Sequence, residues 1–140
     1  MIEIAQIPKE QLNEEFVENL YKSIFDYDRP ADHFRFDLCM VAKTDKDELV
    51  GFCMAREMSK NAVELAWGGT SKEHRGASTL IGLRKITEAC LEHYGSVVFH
   101  TWNRNTKMIK LGLALGYTIT GTKLSDSDEL MLIFNKRREQ

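Results

Sequence analysis

A chain of 140 residues with a net charge of −2, 43% hydrophobic and 29% charged residues has the size and balance of one globular domain, residues 1–140. A chain of this length buries roughly two-thirds of its unfolded surface and needs no disulfide or metal staple. The slight acidity argues against nucleic-acid binding by bulk electrostatics, and no apolar run approaches the length of about 18 residues that a membrane span needs.

The opening MIEIAQI alternates apolar and polar residues, as a half-buried strand does. Pro8 then suits the start of a helix, because its missing N–H is one that a first turn leaves unpaired anyway. Leu12, Phe16, Leu20 and Ile24 recur every four residues and give a helix over 9–25 one apolar stripe. DYDRPADHF, at 26–34, breaks the pattern, since Pro30 disfavours helical geometry at Arg29. FRFDLCMVAKT and ELVGFCMAREM, joined by the polar DKD, read as a hairpin, and NAVELAWGG adds a third strand. Leu80, Leu83, Ile86, Cys90, Leu91 and Tyr94 have helical spacing from about 76 to 94, with Gly95 as the stop. SVVFHTW reads as a buried strand, 105–115 as a helix ending at Gly116, and YTITGTKL and ELMLIFNKR as two strands around SDSD. The order β-α-β-β-β-α-β-α-β-β implies at least one parallel crossover, hence a mixed sheet. The last strand is expected at a sheet edge, open to pairing in a homodimer.

Cys39, Cys53 and Cys90 are odd in number and widely spaced. They suit neither a disulfide framework nor a zinc site and read as buried thiols of a reducing compartment. A soluble, cytoplasmic protein without a metal is the expectation. The C-terminal NKRREQ cluster reads as a solvated tail, against a nucleic-acid patch.

The chemistry concentrates at SKEHRGASTLIGL, residues 71–83. The orphan amides at a helix start form an anion site, strengthened by the helix dipole. If the strand ends near Gly68-Gly69 and the helix starts near Gly76, the amides from Arg75 through Gly76, Ala77, Ser78 and Thr79 to Leu80 are candidates for a phosphate. Gly76 admits close approach, Ser78 and Thr79 add hydroxyls and Arg75 adds charge. A helix merely capped by Ser71 or Gly76 accounts for the same letters. The stretch is no nucleotide P-loop, lacking Gly-Lys-Ser/Thr, and no dinucleotide fingerprint, lacking three spaced glycines.

A second stretch, VVFHTWNRNTKMIKLGLALGYTITG, runs strand, Asn, helix ending in Leu-Gly-aromatic, strand. It resembles the C-terminal half of the GNAT superfamily of acetyl-CoA-dependent N-acyltransferases, and the resemblance covers about residues 48–135. It implies an α/β (α+β) fold with a mixed, mostly antiparallel sheet of about 6–7 strands flanked by helices. It implies acetyl-CoA as the cofactor, with the coenzyme A diphosphate on Arg75–Leu80, the pantetheine arm along Leu65, Ala66 and Trp67, and a contact from Asn105. The acceptor is then an amine, on a small molecule or a protein. Glu64, on the pantetheine strand, is the first candidate for the base that deprotonates this amine, and His100 on the next strand is the second. Asp28, His33 and Asp37 fall where the family places acceptor loops, and Trp67 and Trp102 are candidates to line the cleft. Splaying of the parallel strands at 63–69 and 96–102 opens the thioester groove in this scheme. Two departures stand out. Ser78 and Leu80 replace loop glycines, and Gly112 occupies the position of the family's general-acid Tyr. These departures support a second expectation, a catalytically weak or inactive GNAT-fold binding module, resembling some bacteriophage proteins, that acts through a protein partner.

Overall fold

The computed structural model describes residues 2–24, 37–74 and 76–139, and of Trp67 and Ala77 the backbone alone. The acceptor-loop candidates Asp28 and His33, and the loop residue Arg75, lie outside the described residues. Strand β1 is Ile2–Gln6, helix α1 Glu14–Ile24, and strands β2, β3 and β4 are Leu38–Thr44, Leu49–Ser59 and Ala62–Thr70. Helix α2 (Ala77–His93), β5 (Ser96–Trp102), α3 (Thr106–Ala114), β6 (Thr118–Leu124) and β7 (Leu130–Arg137) follow. Among the described residues, seven strands are ordered β1-β2-β3-β4-β5-β7-β6. β4 and β5 are parallel, whereas β1–β2, β2–β3, β5–β7 and β6–β7 are antiparallel. This is the mixed sheet that the element order implied, mostly antiparallel as the resemblance implied. One expectation fails: β7 is not an edge strand. It lies between β5 and β6, so β6 holds that edge.

The chain divides into two compact units, Met1–Arg56 with Ala66–Ile86, and Glu57–Leu65 with Thr87–Gln140. In the first, the expected helix at 9–25 is shortened. Pro8 leads only into a 3-10 turn at Lys9–Gln11, and Asn13 then caps α1, its Oδ1 accepting the Phe16 amide at 2.9 Å. Val17, Leu20, Tyr21 and Ile24 of α1 pack on Cys39 and Val41 of β2 and Phe52 and Met54 of β3. The β2–β3 register pairs Cys39 with Met54 and Val41 with Phe52, so these four share the face that α1 covers. The β2–β3 turn is held by Thr44, whose Oγ1 accepts the amides of Lys46 and Glu48, with Asp47 at φ 63°.

The core of the second unit is aromatic. Phe99 stacks on Phe134 with centroids 4.7 Å apart and meets Tyr117 edge-on at 4.8 Å. Tyr117 shares a buried 2.6 Å hydrogen bond with Thr87. The first half of NKRREQ is not a tail. Its Asn135, Lys136 and Arg137 belong to β7, and two of its cations serve helix ends. Lys136 Nζ donates to the Leu115 carbonyl at 2.6 Å, and Arg138 donates to the carbonyls of Leu91 and Tyr94. Cations are favourable at such carbonyl-rich C-termini, which gives these charges a structural account without a nucleic acid. All three cysteines are buried. Burial pushes the Cys39 thiol up to about 12 and the Cys90 thiol up to about 11.

Candidate functional site

The start of α2 belongs to the first unit. Gly76 adopts φ 97°, a left-handed conformation that side chains rarely take, and a Cβ built there meets nothing within 4 Å among the described residues. The glycine is therefore demanded by backbone geometry, and no described residue fills the space beside it. The Gly76 carbonyl accepts the amides of Thr79 at 3.0 Å and Leu80 at 3.4 Å. Those two amides, both among the sequence candidates, are thus engaged in the first turn. Among the described residues, the amides of Gly76 and Ser78 have no hydrogen-bond partner. The Thr79 hydroxyl donates to the Thr70 hydroxyl at 3.1 Å, tying the helix start to the end of β4. Ser71 does not cap α2: its hydroxyl lies 2.8 Å from His74 Nδ1. Leu80 is half-buried. A Gly in a left-handed bend, with the Gly76 and Ser78 amides unengaged by any described residue and the Ser78 hydroxyl nearby in sequence, offers donors of the kind that hold a diphosphate.

The second unit brings Glu64 and His100 together. The parallel register runs from Ala62 opposite Ser96 to Leu65 opposite Phe99, which sets Glu64 beside Val98. His100 is two residues further along β5, on the same face by the two-residue strand period. Its Nδ1 lies 3.6 Å from Glu64 Oε2, with both side chains less than one-fifth exposed. Burial lowers the His100 pKa below its ordinary 6.5, the Lys123 ammonium lowers it further, and Glu64 opposes both by raising it. The ring is therefore neutral at neutral pH. Lys123 was not singled out in the sequence. Only the β6–β7 and β5–β7 registers, Lys123 to Met131 and Met131 to Trp102, reveal that it shares the His100 face.

This shift has a consequence for stability. A histidine whose folded pKa lies below its unfolded value binds protons more readily in the unfolded chain. Its contribution is complete above about pH 6.5 and is lost as the pH falls toward the folded pKa. The urea midpoint is therefore expected to drop more for the wild type than for His100→Gln between about pH 7.5 and pH 5. Equal drops would contradict the assigned environment.

The remaining candidates are placed as follows. Leu65 is buried and pairs with Phe99, Ala66 is half-buried, and Trp67 continues β4. Asn105 caps α3: its Oδ1 accepts the Met108 amide at 3.3 Å, and its Nδ2 donates to Thr101 at 3.2 Å. Trp102 is half-buried, with the Arg104 guanidinium 5.4 Å from its ring and Arg104 paired to Glu129 at 2.9 Å. Asp37 directly precedes β2 and donates its amide to Ala55. At Gly112, an added Cβ would lie 2.9 Å from Phe99 and 3.0 Å from Phe134. The aromatic stack thus leaves no room for a side chain at Gly112, where the resemblance to the GNAT superfamily would put a Tyr. Among the described residues, no group of His, Cys, Asp and Glu is arranged to hold a metal ion. No helix of the described residues is long and apolar enough to cross a membrane.

No protein-family model and no curated protein sequence matches the chain. Solved structures do. Spermidine N-acetyltransferase from Vibrio cholerae in complex with CoA and spermine is 13% identical, over 98% of this chain and 95% of that one, with a TM-score of 0.73. A single-residue mutant of the same enzyme is 13% identical over 98% and 94%, with a TM-score of 0.75. A chimera of that enzyme with hSSAT is 12% identical over 98% and 96%, with a TM-score of 0.74. The chain has the GNAT acyltransferase fold over almost its whole length.

Proposed function

We propose that this protein is an acetyl-CoA-dependent N-acetyltransferase acting on an amine. The observation that carries this reading is the start of α2, where Gly76 at φ 97° forms a left-handed bend and no described residue engages the Gly76 and Ser78 amides. These amides and the Ser78 hydroxyl would hold the diphosphate, with Ala77, Thr79 and Leu80 continuing the helix start and the β4 main chain at Leu65, Ala66 and Trp67 receiving the pantetheine arm; the charge of Arg75 would favour the same anion. Asn105, with one amide hydrogen beyond its bond to Thr101, is the further cofactor contact. When bound, acetyl-CoA supplies an activated acetyl thioester whose thiol, of pKa near 8.5, is a tolerable leaving group without an acid. Solved structures of the same fold include a spermidine N-acetyltransferase with CoA and spermine, which supports a CoA cofactor and an amine acceptor here.

In this reading the harder step is removal of a proton from an amine, whose pKa is about 10.4 if it resembles lysine. His100 serves as the base. Its ring is neutral because it is partly buried and faces Lys123. Glu64, against Nδ1, holds the ring so that Nε2 faces the acceptor, and its charge stabilises the imidazolium formed on proton capture. The same carboxylate favours a cationic amine nearby.

A saturating ligand at 100 times its Kd stabilises the fold by about 2.7 kcal/mol. Acetyl-CoA and desulfo-CoA are therefore each expected to raise the melting temperature. Gly76→Val, which forces a β-branched residue into a left-handed conformation, should abolish the rise. No rise in the wild type, or an undiminished one in Gly76→Val, would remove the cofactor site. Gly112 favours a second reading, a binding module without turnover. A thermal shift with no acetyl transfer to a broad amine panel would select it.

A further inference from the structure

Lys123 of β6 is opposite Met131 of β7, which is opposite Trp102 of β5. In the next row on the same face, Gly121, Ile133 and His100 are opposite one another in the same way. Residues directly opposite point to one face, and residues two apart along a strand share it, so these positions form one surface. Two strand spacings and two residues separate the His100 and Lys123 α-carbons by about 12 Å. The floor between them is Gly121, Ile133 and Met131, each half-buried and so open in part to solvent. Lys123 itself is exposed.

The charges on this surface are ordered. At one end Glu64 lies 3.6 Å from His100 Nδ1. At the other stands Lys123, which forms no ion pair among the described residues. The next acids along the chain are Asp126, Asp128 and Glu129 of the β6–β7 turn, and Glu129 is taken by Arg104 at 2.9 Å. The Lys123 ammonium is nevertheless felt at His100, whose pKa it helps to lower. A negative end, an apolar floor and an unpaired positive end match a molecule with a cationic amine, a methylene stem and a carboxylate. A polyamine matches poorly, because its second ammonium would meet Lys123.

We propose that Lys123 selects the acceptor, its ammonium pairing with the carboxylate of an amino acid whose amine lies at His100 and whose stem of a few methylenes crosses Ile133 and Met131. This rests on the acetyltransferase reading above, and it sets the chain apart from the enzyme of the same fold solved with spermine. A lysine on an edge strand also discourages pairing with another chain, a role that has no bearing on acceptor choice. Acceptor preference therefore separates the two roles.

Steady-state transfer to 4-aminobutanoate, 6-aminohexanoate, butylamine and butane-1,4-diamine tests this at about pH 8.5, well above the ordinary histidine pKa. In the wild type, kcat/KM for the better amino acid is expected to exceed that for butylamine, with the diamine poorest. In Lys123→Met, which keeps an unbranched stem, the ratio of amino acid to butylamine is expected to fall about 10-fold. In Lys123→Glu the diamine is expected to become preferred over both amino acids. These ratios cancel any effect of the lost charge on the base. Lys123 is exposed, so both variants should keep the wild-type urea midpoint. Unchanged ratios in both variants overturn the proposal and leave the acetyltransferase reading standing. Transfer by the wild type to butylamine or the diamine and to neither amino acid does the same. Transfer to none of the four also overturns it, and the melting-temperature rise with acetyl-CoA then reports separately on the cofactor site.

Discussion

His100→Ala is expected to lower kcat/KM for acetyl transfer by about 10²- to 10⁴-fold, the usual contribution of a general base. The fold should survive, because His100 is half-buried at the accessible face and the aromatic core lies under Phe99. Glu64→Gln separates the two partners. If Glu64 only orients and supports the ring, the loss is smaller. Removing the group that raises the His100 pKa should also shift the acid limb of the kcat/KM profile to lower pH. In the wild type that limb should fall below the ordinary 6.5, leaving activity flat through neutrality. A larger loss in Glu64→Gln than in His100→Ala, with no shift of the limb, would make the carboxylate the base. Unchanged activity in both variants would remove the pair from catalysis.

Gly112→Tyr, which places the family's acid at its usual position, is expected to give no gain in kcat and a severe loss of stability. Even Gly112→Ala puts a Cβ within 2.9–3.1 Å of ring carbons in Phe99 and Phe134. Those rings are 3% and 0% exposed and stack at 5°, so neither has room to retreat. Overpacking of this kind costs about 1–3 kcal/mol. Ala gains up to about 1 kcal/mol over Gly in helix propensity, too little to offset it. Subtracting the full gain leaves a net loss of up to about 2 kcal/mol for Ala, and more for Tyr. Urea denaturation reads the stabilities and acetyl transfer reads the chemistry. A stable, faster Gly112→Tyr would show that the aromatic stack yields and that lack of an acid at this position limits the proposed transfer.

These cases also mark what was legible in the letters. SVVFHTW is a strand from its first residue to its last, because a short β-branched and aromatic run has no competing period. The α2 start was legible because Gly followed by small polar residues ahead of an apolar repeat has few other uses. The α1 start was misjudged. Pro8 is a local signal, but Asn13 supplied the side-chain cap that decided the boundary. Contacts set by non-local register were not legible. Nothing in the chain order says that β7 inserts between β5 and β6, yet that insertion removes β7 from the edge and puts Asn135 on the His100 face. Glu64 and His100 were each visible as candidates, but their pairing depends on a parallel register that no turn length dictates. Gly112 was readable as a missing Tyr, whereas the reason, a stack built from β5 and β7, was not. The basic C-terminal letters looked solvated because the carbonyls they cap lie more than 20 residues away in sequence.

The most direct test of the central claim is the amide spectrum of nitrogen-15-labelled protein during titration with coenzyme A. Hydrogen bonding to a diphosphate is expected to move the Gly76 and Ser78 amide protons downfield and saturably, and acetyl-pantetheine, which lacks the diphosphate, should leave them in place. If these two resonances stay still while coenzyme A binds, the diphosphate is held elsewhere and the start of α2 is an ordinary helix end.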